Sequence, residues 1–150
     1  AKVTLGLSDN TAAHILTIKL GEENIQYFAN TIGMIATSMK DNDISSRDVG
    51  KFYDLLYSNK ITSKALTKEL LGYMENTDFE ARIPKYLPKS VRKYHKTGDG
   101  VTYVHDGGII DDGKNPYILV VMSSNLKDEE KAKDIIGQIS KMVYEKRHGK

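Results

Sequence analysis

A change of hydrophobic period near residue 91 constrains this chain more than any other feature. Before it, apolar residues recur every three or four positions, as on amphipathic helices; after it come short β-branched and aromatic runs, and then a helical period again. Asp9 or Asn10 caps a first helix with Ala12, Ala13, Leu16 and Leu20 inward, and Gly21 stops it. Glu22-Glu23 opens a second, with Ile25, Phe28 and Ile32 on one face, ended by Gly33. Residues 34–44 read as a loop. Ser45 or Ser46 caps a third helix to about Ser58 with Val49, Phe52, Tyr53 and Leu56 inward, and Thr62 or Ser63 a fourth to about Asn76 with Leu66, Leu70, Leu71 and Met74 inward. Pro84 and Pro88 keep the stretch from Thr77 to Lys93 irregular.

The strands follow. Val91 to Thr97 is the first, and Val101 to Ile110 the second, with Gly107-Gly108 placed as if at a bulge. Asp111 to Pro116 is a hairpin turn, and the apolar run Tyr117 to Met122 predicts a fully buried strand. Asp128 starts a last helix with Ile135, Ile136, Ile139, Met142 and Val143 inward and a basic end. The class is α+β: a helical segment, then three antiparallel strands and a covering C-terminal helix. At 150 residues this is one domain or a portion of one, about 1–93 mainly helical and 94–150 strands plus helix.

Composition removes several functions. A net charge of +2 is too small to argue for nucleic acid, and the basic run Arg82, Lys85, Lys89, Arg92, Lys93, Lys96 reads as a solvated face. With no Cys there is no disulfide, thiol nucleophile or thiolate metal site. No apolar run approaches the length of a membrane span. His95, His105, Asp106, Asp111 and Asp112 match no standard ligand spacing, so neither a metal nor another cofactor is expected. His14 reads as a surface or packing residue.

Two triplets carry the chemistry. Lys96-Thr97-Gly98 combines a cation, a short donor and a glycine that admits a ligand close to the backbone, which suits an anionic substrate group. Such a triplet arises by chance in roughly one chain in fifteen of this length. Ser8-Asp9-Asn10 alone reads as an N-cap cluster. Together, in this order, they resemble the second and third motifs of the penicillin-recognising serine hydrolases, and with Thr11-Ala12-Ala13 the first looks most like class A β-lactamases. Arg82-Ile83-Pro84, Leu87-Pro88, His95 before Lys96, His105-Asp106-Gly107-Gly108-Ile109 and Tyr117 to Met122 extend the resemblance from about Leu5 to Tyr144.

The resemblance implies a β-lactam or D-Ala-type peptide substrate attacked through a serine acyl-enzyme, and a secreted or cell-surface parent protein. It implies catalytic roles for Ser8, as proton relay to the leaving nitrogen, and Lys96, as its partner and an attractor of the substrate carboxylate. Asn10, Thr97, Gly98 and Asp99 would contact substrate, with the Asp99 N–H in the oxyanion hole. Asp9 would be structural, and His105 would stand where a basic residue often completes the carboxylate site.

Two family elements are missing. The Ser-x-x-Lys motif that holds the nucleophile lies upstream of Ser-Asp-Asn, and only seven residues precede Ser8; no substitute stands in a family-like position. The chain, which starts Ala1-Lys2-Val3, therefore reads as the C-terminal portion of a larger enzyme, inactive alone. Its partner would be the missing N-terminal segment or a second copy. The short connection from Gly33 to Ser45 holds Asp41 and Asp43 but no Glu to activate a deacylating water. A penicillin-binding or D-Ala-D-Ala peptidase-like protein with slow deacylation is thus the alternative, with a non-catalytic structural fragment as a third reading.

Overall fold

The computed structural model describes residues 1–149 and divides into two compact units, Ala1–Tyr73 and the chain from Met74 on. The first is helical: α1 (Lys2–Gly6), α2 (Asn10–Leu20), α3 (Glu22–Thr31), α4 (Ser46–Tyr57) and α5 (Lys64–Tyr73). Its caps are those the sequence supplies. Asp9 accepts a hydrogen bond from the Ala12 N–H at 2.6 Å, and Ser45 accepts one from the Asp48 N–H at 3.1 Å. Gly21 and Gly33 turn the chain with φ of 82° and 80°, a backbone shape that L side chains resist.

Ala29, Met34, Tyr53, Leu56 and Leu71 are buried in this unit. The helical faces depart from the expected ones: Leu20, at the end of α2, lies exposed, and two other faces are rotated. Phe28 and Leu66 lie exposed, and Ala29 and Thr67, one position on, are buried instead. The Thr67 hydroxyl is accommodated by donating to the Leu56 carbonyl.

The second unit holds a three-stranded antiparallel sheet in the order β1-β2-β3, with β1 Arg92–Gly100, β2 Tyr103–Asp111 and β3 Tyr117–Met122. Helix α6 (Glu129–Arg147), capped by Asp128, packs on β2. The core joins Ile83, Leu87 and Val91 to Val104, Ile110, Ala132 and Ile136, with Tyr117, Leu119 and Val121 against it.

Three expectations are corrected here. The β1–β2 register runs unbroken from Arg92↔Asp111 to Gly100↔Tyr103, so Gly107-Gly108 is not a bulge. Gly108 answers a different need: a Cβ there would stand 2.3 Å from the Tyr94 carbonyl oxygen and 2.6 Å from the His95 Cβ. β3 is half-buried along its length rather than fully buried, because it is paired on one side only. On α6 the inward stripe is Ala132, Ile136, Gly137 and Ser140, which leaves Ile135 and Met142 exposed.

Candidate functional site

Antiparallel register and strand alternation sort the β1 and β2 side chains between two faces of the sheet. Gly98 pairs with His105 and Lys96 with Gly107, so Lys96, Gly98 and His105 share the face away from the Ile83–Ile136 core. Thr97 pairs with Asp106 on the other face, and both are buried. Sequence adjacency therefore does not place Lys96 and Thr97 on one surface.

Lys96 is half-buried. Its ammonium donates to the Thr97 carbonyl at 2.7 Å and stands 6.0 Å from the centre of the Phe79 ring. Burial pulls its pKa below the usual lysine value, while Asp99 and Asp106 act in the opposite direction. A partly desolvated ammonium is a stronger electrostatic partner for an anion than a solvated one.

His105 lies across from Gly98, where a Cβ would stand in ordinary contact, 3.7 Å from the His105 Cβ and Cδ2. The ring stacks on Tyr103 with centroids 4.8 Å apart, and its Nδ1 accepts from the Ser123 N–H at 3.2 Å. That bond assigns the ring proton to Nε2, which leaves Nε2 as a donor.

Asp99 is tied down from behind. Arg82, buried in the segment before β1, pairs with the Asp99 carboxylate and donates to the His105 carbonyl at 2.8 Å. The Ile83 N–H donates to Asp106 at 3.0 Å. In the sequence Arg82 stands out as one residue of a basic run and as the start of Arg82-Ile83-Pro84. Its grip on Asp99 and His105 needs contacts across 17 and 23 positions, which no local pattern carries.

The other triplet belongs to the first unit. Ser8 adopts φ of 54°, an uncommon left-handed backbone for a residue with a Cβ, between the end of α1 and the cap of α2. Asp9 caps α2 through its carboxylate, and Asn10 is the exposed first residue of that helix. A shallow depression of about 460 Å³ in the same unit is lined by Lys2, Ala65, Lys68, Glu69, Gly72 and Tyr73, none of them a predicted site residue.

Two Ser-x-x-Lys spacings do occur, at Ser90 to Lys93 and Ser124 to Lys127. Neither lies within a helix, so the spacing does not set the two side chains on one helical face. Among the described residues, no group of three or more His, Cys, Asp or Glu side chains could hold a metal ion. No helix of the described residues is long and apolar enough to cross a membrane.

The model of the beta-lactamase enzyme family matches residues 1–146. No curated protein matches. Among solved structures, a β-lactamase from Sphaerobacter thermophilus is 22% identical at a TM-score of 0.88, over 96% of this chain and 59% of its own. PBP-A is 24% identical at a TM-score of 0.91, over 99% of this chain and 60% of its own. A β-lactamase from Chitinophaga pinensis is 23% identical at a TM-score of 0.89, over 97% and 63%. The chain thus spans about 60% of the length of these structures. With the family model matched over nearly all of its length, this chain belongs to the beta-lactamase enzyme family.

Proposed function

We propose that this chain is the C-terminal portion of a serine hydrolase that opens β-lactam amides through an acyl-enzyme, with the nucleophile on a segment outside it. The observation that carries the reading is Lys96, a half-buried ammonium beside Gly98 and on the same sheet face as the His105 donor. These are the groups that a substrate carboxylate needs: a charge, room for close approach and a second donor.

In the reaction a serine hydroxyl gives its proton to the basic partner beside it on that segment, its oxygen bonds to the amide carbonyl carbon, the C–N bond breaks, and the nitrogen leaves with a proton. Ser8 delivers that proton, with Lys96 as its ammonium partner and as the group that holds the carboxylate. Asn10 and the Asp99 N–H are further substrate contacts that the family resemblance assigns; Thr97, which it also assigns, lies buried on the sheet face opposite Lys96. Asp9 holds the start of α2.

A test uses a longer protein that also carries an upstream Ser-x-x-Lys helix. Mixed with benzylpenicillin, it forms a covalent adduct seen by intact-protein mass spectrometry. Lys96→Ala slows acylation at least about 100-fold, the lower range for losing a positioned proton-transfer partner. Acylation unchanged by Lys96→Ala overturns the reading. The 150-residue chain alone turns over no chromogenic cephalosporin.

A specific observation favours slow deacylation in that longer protein. In the 34–44 connection, Asp41 accepts from the Ser38 hydroxyl at 2.6 Å and Asp43 accepts from the Ile44 N–H at 2.9 Å. Both carboxylates are exposed and build their own turn, so neither is a positioned base. One structural neighbour, the L158E mutant of PBP-A at 24% identity, was captured as an acyl-enzyme complex with penicillin G. The adduct of the longer protein should accordingly persist for about minutes, since losing a general base costs about 100- to 10,000-fold. Rapid hydrolysis with no adduct at steady state excludes this second reading.

A further inference from the structure

Directly behind the Lys96 strand lies a polar cluster that the proposed reaction does not use. His95 is 1% exposed, and its Nδ1 lies 2.9 and 3.1 Å from the two carboxylate oxygens of Asp106, itself fully buried. Its Nε2 faces the Thr77 hydroxyl at 3.3 Å and a Glu80 carboxylate oxygen at 3.6 Å. That Glu80 oxygen is buried and has no hydrogen-bond partner. A neutral imidazole has one N–H; given to Asp106, it would turn an Nε2 lone pair toward the Glu80 carboxylate. An imidazolium donates on both sides and neutralises charge between them.

The two ends of the ring belong to different stretches of the chain. Asp106 comes from β2, opposite Thr97, whereas Thr77 and Glu80 come from the irregular segment before β1. That segment is fastened to the strands at three further points: the Ile83 N–H to Asp106, Arg82 to Asp99, and Arg82 to the His105 carbonyl. It also carries Phe79, whose ring lies beside the Lys96 ammonium.

We propose that His95 is a positioning residue for the Lys96 site: as an imidazolium it clamps the segment 77–83 to the β1–β2 pair, and its deprotonation loosens that segment and alters the surroundings of Lys96. Burial alone lowers the His95 pKa, but the hydrogen bond to Asp106 and the negative charges of Asp106 and Glu80 outweigh it and raise it to about 9. Glu80 is held below the usual carboxylate range by the facing His95, with Lys93 adding a smaller pull. Among the charges around the cluster, Lys96 feels Asp106 together with Asp99 and Arg82, and Arg82 itself is paired with Asp99. The inference rests on reading Lys96 as the anion-holding group only for its functional meaning.

The test uses the 150-residue chain without any β-lactam. Imidazole ¹⁵N spectra at about pH 7, well below the raised pKa, should show both His95 nitrogens protonated, with a titration midpoint in the alkaline range. The Lys96 side-chain resonances and the 77–83 amides should move with that same midpoint, while α4 and α5 amides do not. Glu80→Gln, a change at a half-exposed side chain, should lower the His95 midpoint by about one pH unit or more, a tenfold change in proton affinity. His95→Gln should remove the shared inflection from Lys96 and the segment. If that variant does not fold, the wild-type and Glu80→Gln titrations decide alone. A singly protonated His95 at neutral pH, or Lys96 and segment signals with no inflection at the His95 midpoint, overturns the proposal. Because no substrate is present, failure of the clamp and failure of acylation in the longer protein are read separately.

Discussion

Asp48, 1% exposed, accepts hydrogen bonds from the Ala36 N–H at 2.9 Å and the Thr37 hydroxyl at 2.8 Å, while its own N–H caps onto Ser45. One carboxylate at the start of α4 therefore shapes the turn that leads into the helix. Asp48→Ala should cost about 2–4 kcal/mol, since two donors lose their acceptor in a buried place. Ser45→Ala, which removes only a cap, should cost about 1 kcal/mol. Urea unfolding followed by circular dichroism checks both, and an Asp48→Ala loss no larger than that of Ser45→Ala would refute the ranking. His95 makes a second residue-scale prediction. Its folded pKa of about 9 lies above the ordinary 6.5, so its contribution is complete below pH 6.5 and lost as pH rises through 9. The full swing is about 3 kcal/mol. Urea midpoints at about pH 6 and about pH 9.5 should differ in that direction, and Asp106→Asn should flatten the difference.

Helix α6 shows how far a periodic pattern carries. Ile135 and Ile136 are chemically identical neighbours, yet the first is 44% exposed and the second 1%. Ile136→Ala should cost about 2–5 kcal/mol by leaving a cavity, and Ile135→Ala less than about 1 kcal/mol. Thermal melts of the two variants check the contrast. Glycines in the hairpins separate in the same way. An added Cβ at Gly108 meets the Tyr94 carbonyl at 2.3 Å, so Gly108→Ala must push β1 and β2 away from each other. At Gly113 nothing lies within 4 Å, and Gly113→Ala should carry only the cost of its φ of 81°, about 1–2 kcal/mol. Gly108→Ala as mild as Gly113→Ala in a urea melt would mean the β1–β2 spacing is softer than described.

For the whole molecule the sheet order matters most. β3 is paired with β2 on one side, and its run Tyr117 to Met122 is apolar. An apolar strand with one unpaired edge is a template for another strand. We propose that the chain associates through β3, with a second copy or with a segment that completes the sheet. Sedimentation velocity should show concentration-dependent association. Val120→Lys, on the face away from the core, should shift it toward monomer; a wild-type monomer at high concentration with slow-exchanging β3 amides would count against the idea.

Local chemistry was readable along the chain wherever a residue acts on its near neighbours. Asp9, Ser45 and Asp128 cap helices by reaching an amide three positions away, and Gly21 and Gly33 end helices through their own φ. The triplets Ser8-Asp9-Asn10 and Lys96-Thr97-Gly98, read in order, pointed to the family because their spacing is a property of sequence alone. Burial was decided elsewhere. Which of Ile135 and Ile136 faces inward depends on where β2 lies, and Gly108 is needed for a close strand approach that no period reveals. The His95–Asp106 pair and the Arg82 grip on Asp99 join residues 11 and 17 positions apart, and they exist only once β1 and β2 are in register. A side chain's conformational preference is set by bonds it carries with it, but its partner in a core is set by loop closure between distant segments, and that is a property of the folded chain.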